Sequence, residues 1–137
     1  MKAKTRAWID FARRDLAAAE KLDSDESFSN IVLFHCQQCI EKSLKALFEE
    51  NDLPVLRIHA TVKLHAELRK AVPSIPCLAE NADFGFIDDV YLDSRYPGGR
   101  GMLPSGLPTR NETARGLRIA RRVLAGAERI KGELFGK

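Results

Sequence analysis

The stretch Glu26-Ser-Phe-Ser-Asn-Ile-Val-Leu-Phe-His35-Cys-Gln-Gln-Cys-Ile40-Glu-Lys-Ser-Leu-Lys45-Ala-Leu-Phe-Glu-Glu50 decides the fold. Phe28, Ile31, Val32, Cys36, Cys39, Ile40, Leu44, Leu47 and Phe48 recur in it at three- and four-residue steps, the period of a helix. The stripe is too wide for one contact and predicts a helix with neighbours on two sides. At about 1.5 Å per residue it spans roughly 36 Å. Asp23-Ser24-Asp25 offers caps before it. Asn51-Asp-Leu-Pro54 closes it, because proline disfavours helix at the preceding residue.

The same period extends outward on both sides. One helix is predicted from about Lys4 to Leu22, carrying Trp8, Phe11, Ala12, Leu16, Ala19 and Leu22. A shorter one covers about Thr61 to Val72, with Leu64, Leu68 and Val72 inward. A fourth runs from about Cys77 to Arg95. Residues 97–108 hold four glycines and three prolines and predict a loop. Thr109-Arg-Asn-Glu112 then spells a capping box, opening a last helix to about Phe135. No segment reads as a strand. The expectation is an all-α, up-and-down antiparallel four-helix bundle with one additional short helix. With 137 residues it forms a single domain.

Composition narrows the function classes. At 45% hydrophobic and 30% charged residues the chain is a folded protein, not a disordered one. It holds no apolar run of membrane-spanning length, and its basic N-terminus leads into no signal core. A cytoplasmic location is expected. Cys36, Cys39 and Cys77 are an odd number and make a poor disulfide framework. Cys36 and Cys39 read as small apolar residues of a buried helix face, and His35, His59 and His65 make no zinc pattern with them. Neither a metal nor a cofactor is expected. Asp88, Asp89 and Asp93 read as a salt-bridge network. The net charge is +3, yet residues 110–137 alone hold eight Lys or Arg against three Glu.

Four motifs stand in order along the chain. They are Trp8-Ile-Asp-Phe-Ala12-Arg-Arg-Asp15-Leu16, His35-Cys-Gln37-Gln38-Cys-Ile-Glu41-Lys42-Ser-Leu-Lys45-Ala46-Leu47, His59-Ala-Thr-Val-Lys-Leu64-His-Ala-Glu-Leu68 and Tyr91-Leu-Asp-Ser-Arg95-Tyr96-Pro97. The set resembles the HEPN domain family over nearly the whole chain. That resemblance implies a helical bundle that usually dimerises and a link to nucleotides or RNA. Many members are metal-independent endoribonucleases, often toxins paired with a small nucleotidyltransferase in toxin–antitoxin fashion; others show no chemistry. The ribonuclease members carry an Arg followed four to six residues later by His near the start of the last long helix. Here no histidine follows His65, so Arg95, Arg100 and Arg110 lack that partner. The resemblance therefore assigns no catalytic residue.

Three constellations are candidates. Arg95, Tyr96 and Arg100, in and before the glycine-rich loop, combine guanidinium groups for phosphate with a ring for stacking. Arg115, Arg118, Arg122 and Arg129 fall within about 60° of one another on the last helix and can follow a phosphate backbone. His35, Gln38, Lys42 and Lys45, with Glu41 beside them, form a polar line on the second helix, read as a cleft or a dimer interface. Two functions compete on this evidence: a homodimer binding nucleotide or RNA phosphate through arginines, and an interaction module that partners a nucleotidyltransferase. A third is a ribonuclease in which His35 or His59 replaces the missing histidine beside an arginine.

Overall fold

The computed structural model describes residues 1–95 and 106–130, with the side chains of 92–95 outside that description. Its elements are α1 (Ala3–Leu22), a 3-10 turn (Glu26–Phe28), α2 (Ser29–Glu50), α3 (Thr61–Ala71), α4 (Asn81–Arg95) and α5 (Arg110–Ile130). No strand occurs among the described residues, as the sequence predicts.

The predicted ends are built from the predicted groups. The Asp25 carboxylate accepts from the Ser27 amide at 2.9 Å, and the turn it starts runs into α2. The Thr109 hydroxyl accepts from the Glu112 amide at 3.2 Å while Glu112 accepts from the Thr109 amide at 2.8 Å, so the capping box is complete. Helix α2 stops before Pro54 can act. Asp52 takes a left-handed conformation with φ 58°, and the Leu53 and Asp52 amides donate to the carbonyls of Phe48 and Glu49.

Helix α2 is the central post. It runs antiparallel to α1, with Thr5 donating to Glu50 at one end and His35 meeting Asp15 at the other. Helix α5 is antiparallel to α1 as well, tied by Arg13–Glu128 and Arg121–Glu20. It lies close against α2 because Gly116 has no side chain; a Cβ there would sit 2.5 Å from the Leu33 side chain. The core joins Val32, Cys36, Cys39, Ile40, Leu44 and Leu47 of α2 to Ile9, Ala12, Leu64, Ile87, Leu117 and Val123. Both cysteines are buried and free; burial first, then the neighbouring thiol, pushes the Cys36 thiol up, and burial pushes Cys39 up to about 12. This is the apolar role read from the sequence.

Helix α4 begins at Asn81, four residues later than the sequence predicts. The segment before it is held by a tertiary bond instead: the Leu78 amide donates to Nε2 of buried His65 at 3.1 Å. That ring also lies 4.5 Å from the Phe84 ring. Burial, with Arg69 adding to it, lowers the His65 pKa to about 4. The unfolded side chain titrates near its ordinary value of about 6.5, so acid charges the unfolded chain first. Stability is therefore complete above about pH 6.5 and falls as pH drops toward 4, by roughly 3 kcal/mol in total. Thermal melts across that window should show the decline, and His65→Gln should flatten it.

Candidate functional site

The last helix carries six arginines among the described residues, and the fold sorts them into two groups. Three are engaged. Arg110 pairs with Glu26 at 2.8 Å. Arg121 pairs with Glu20 at 2.8 Å across the α1 edge. Arg115, at the other edge, pairs with Asp83 at 3.2 Å and lies 4.3 Å over the Phe86 ring of α4. The other three, Arg118, Arg122 and Arg129, are exposed and have no acidic partner among the described residues. They occupy about 40° of the helix circumference, opposite Leu117, Ala120, Val123, Leu124 and Ala127 in the core. By axial rise they stand about 6 and 10 Å apart. A cationic ridge is the result, open along its length.

No aromatic side chain of α5 interrupts this ridge. It can meet phosphates by charge and hydrogen bonding, and it offers no ring for a base to stack on. Of the Arg95, Tyr96 and Arg100 constellation, Arg95 is the last residue of α4, its side chain undescribed, and Tyr96 and Arg100 lie outside the described residues. A cavity of about 630 Å³ opens between the 3-10 turn and the start of α5. Asp23, Asp25 and Glu26 line it against Arg110 alone, so its walls disfavour a phosphate.

The polar line of α2 is placed quite differently from a solvated face. Glu41 and Lys45 are 5% and 7% exposed, and Gln37 is wholly buried. One Glu41 oxygen accepts from Gln37 at 3.0 Å and from His59 Nδ1 at 2.9 Å; the other accepts from Lys45 at 2.9 Å. Burial alone would push the Glu41 carboxyl up, but these bonds outweigh it and hold it below the ordinary value. Gln37 also donates to the His59 carbonyl, at 3.1 Å, and receives from Gln38 at 2.7 Å. A second carboxylate repeats the pattern: Asp15 of α1 accepts from His35 Nδ1 at 2.8 Å and from Lys42 at 2.6 Å. Lys42 and Lys45 lie over the Phe11 and Trp8 rings, at 5.8 and 5.9 Å.

The line thus joins α2 to α1 and to the segment before α3. A carboxylate on Nδ1 leaves Nε2 of each histidine turned away from its bond, the arrangement that suits a ring to proton transfer. Among the described residues His35 and His59 each meet a carboxylate rather than an arginine. Spacing alone could not have found His59 as the third donor to Glu41, since the pair is 18 residues apart. Asp88 has a different role from the one its sequence context predicts. It accepts from the Thr61 amide and hydroxyl, each at 2.7 Å, and from the Val62 amide at 3.1 Å, so it caps α3 from α4 rather than joining an acidic network. No cluster of three metal-ligating side chains occurs among the described residues.

Comparison with known proteins agrees with this architecture. The family model described as HEPN domain matches residues 5–130. The crystal structure of TT1696 from Thermus thermophilus superposes with a TM-score of 0.77 at 24% identity, covering 93% of this chain and 98% of that one. The crystal structure of ST0689, described as an archaeal HEPN homologue, gives 0.70 at 24% identity, covering 93% and 97%. No curated protein matches the sequence. No helix among the described residues is long and apolar enough to cross a membrane.

Proposed function

The chain belongs to the HEPN domain family, and from that premise we propose that it is a homodimeric RNA-binding protein whose contacts are to the phosphate backbone. One observation carries the reading: Arg118, Arg122 and Arg129 share an exposed face of α5 without acidic partners among the described residues, while their neighbours Arg115 and Arg121 are paired. An open ridge suits a polyanion better than a single nucleotide, which needs walls. Lacking rings, it binds without preference among bases. Arg115 joins by exchanging Asp83 for a phosphate, and Arg95, Tyr96 and Arg100 supplement the ridge in this reading.

The test is retention of short single-stranded and duplex RNAs between 50 and 200 mM salt. Three phosphate contacts predict an affinity that falls by roughly 15- to 50-fold over that range. Absence of retention at the lowest salt overturns the proposal. The competing reading, a module that engages a nucleotidyltransferase-type protein, is favoured by the exposed Phe11 on α1. It expects capture of such a protein without salt-sensitive RNA retention.

A further inference from the structure

The cavity between the 3-10 turn and the start of α5 has no part in the arginine ridge. Its volume of about 630 Å³ is that of a small-ligand pocket. The carboxylates of Asp23, Asp25 and Glu26 line it with the guanidinium of Arg110, and Arg110 is taken by Glu26 at 2.8 Å. Asp23 and Asp25 have no ion-pair partner among the described residues. The Ser27 hydroxyl and amide donate to Oδ1 of Asp25 at 2.6 and 2.9 Å, which holds its carboxyl below the ordinary value. Its Oδ2 accepts no bond among the described residues. Ser29, the first residue of α2, belongs to the same wall and is 5% exposed. Its hydroxyl is the one buried side-chain polar atom without a hydrogen-bond partner among the described residues. Native chains leave few such groups unpaired, and one in the wall of a cavity points to a ligand that completes it.

We propose that this cavity binds a short aliphatic diamine, a dication whose ammonium groups meet the Asp23 and Asp25 carboxylates and the Ser29 hydroxyl. Charge sets the match. Three carboxylates against one guanidinium leave two negative charges, which a diammonium ligand cancels. A primary ammonium carries three N–H donors, and the open groups here are carboxylate and hydroxyl oxygens. The methylenes between the two charges lie on Val32, Leu107 and Pro108, the aliphatic part of the wall. A quaternary ammonium is not matched, because it has no such donor and no aromatic ring lines the cavity among the described residues. A divalent metal is not matched either, since no cluster of three metal-ligating side chains occurs among the described residues. Helices α2 and α5 both begin at this cavity, and bare helix N-termini would favour an anion. Here they are already answered, by Asp25 on the Ser27 amide and by Glu112 on the Thr109 amide.

The test is a titration of the full chain with 1,4-diaminobutane in the absence of RNA, read by calorimetry and by melting temperature at about 50 mM salt. Saturable binding and a melting temperature that rises with the diamine are expected. 1-Aminobutane should bind about tenfold more weakly, because one wall charge goes unanswered. Asp25→Asn keeps a capping oxygen and removes the charge, so it should weaken the diamine about tenfold with the fold intact. Ser29→Ala removes a hydroxyl that has no partner, so the free protein should melt no lower while the diamine binds roughly fivefold more weakly. Absence of saturable binding to the wild type overturns the proposal. Binding that Asp25→Asn and Ser29→Ala leave unchanged overturns it as well. So does equal stabilisation by magnesium chloride at the same concentration, since the acidic walls would then merely gather cations.

Discussion

Glu41→Ala should destabilise the protein by about 3–5 kcal/mol, read as a shift of the urea midpoint with little change in slope. The size follows from what is left behind. Lys45 is 7% exposed and loses the carboxylate 2.9 Å away, so its ammonium is stranded in the packing between α1 and α2. Gln37, wholly buried, loses one acceptor, and the His59 side chain loses the group that holds its ring. Removing one partner of a buried ion pair is far more damaging than replacing both with apolar groups. Glu41→Leu combined with Lys45→Met should therefore recover most of the loss. Glu41→Leu, Lys45→Met and the double variant form a cycle with the wild type, and a coupling energy below about 0.5 kcal/mol would show that the pair does not act as a unit.

That pair also shows where reading the sequence stops. Glu41 and Lys45 are four apart, and the same spacing on paper describes an ordinary surface ion pair. What buries them is distant: Trp8 of α1 under the lysine and the 51–60 segment delivering His59. Periodicity reports which side chains share a face of their own helix, but it is silent about what covers that face. The same limit explains the start of α4. Apolar residues from Leu78 onward fit a helix, yet the Leu78 amide is taken by the His65 ring, a bond no local pattern encodes. Asp88, given to the N-terminus of α3 from 27 residues away, is a third case. By contrast, the bundle, the cap at Asp25 and the box at Thr109–Glu112 were legible, because local chemistry alone dictates them. The arginines of α5 fall between the two. Their shared arc follows from the helical period, but the division into engaged and open members depends on Glu20, Asp83 and Phe86, which arrive from α1 and α4.

That division makes the second large prediction. Arg118→Ala, Arg122→Ala and Arg129→Ala combined should lower RNA affinity by about 100-fold at low salt and reduce the salt slope by about two for single strands and nearly three for duplex. The melting temperature should change little, since none of the three touches the core or pairs with an acidic group among the described residues. Arg121→Ala is the contrast. Its guanidinium is bound to Glu20 through Nε at 3.1 Å and Nη2 at 2.8 Å, so it is already satisfied and contributes little to the RNA. Arg115→Ala should sit between, because a phosphate must compete with Asp83 and the Phe86 ring for it. The ranking, rather than any one loss, is the informative measurement. Total charge falls by one in each single variant, so an effect of net charge alone would weaken binding equally at all five positions. If Arg121→Ala reduces affinity as much as Arg122→Ala does, binding follows charge and not the geometry of the ridge.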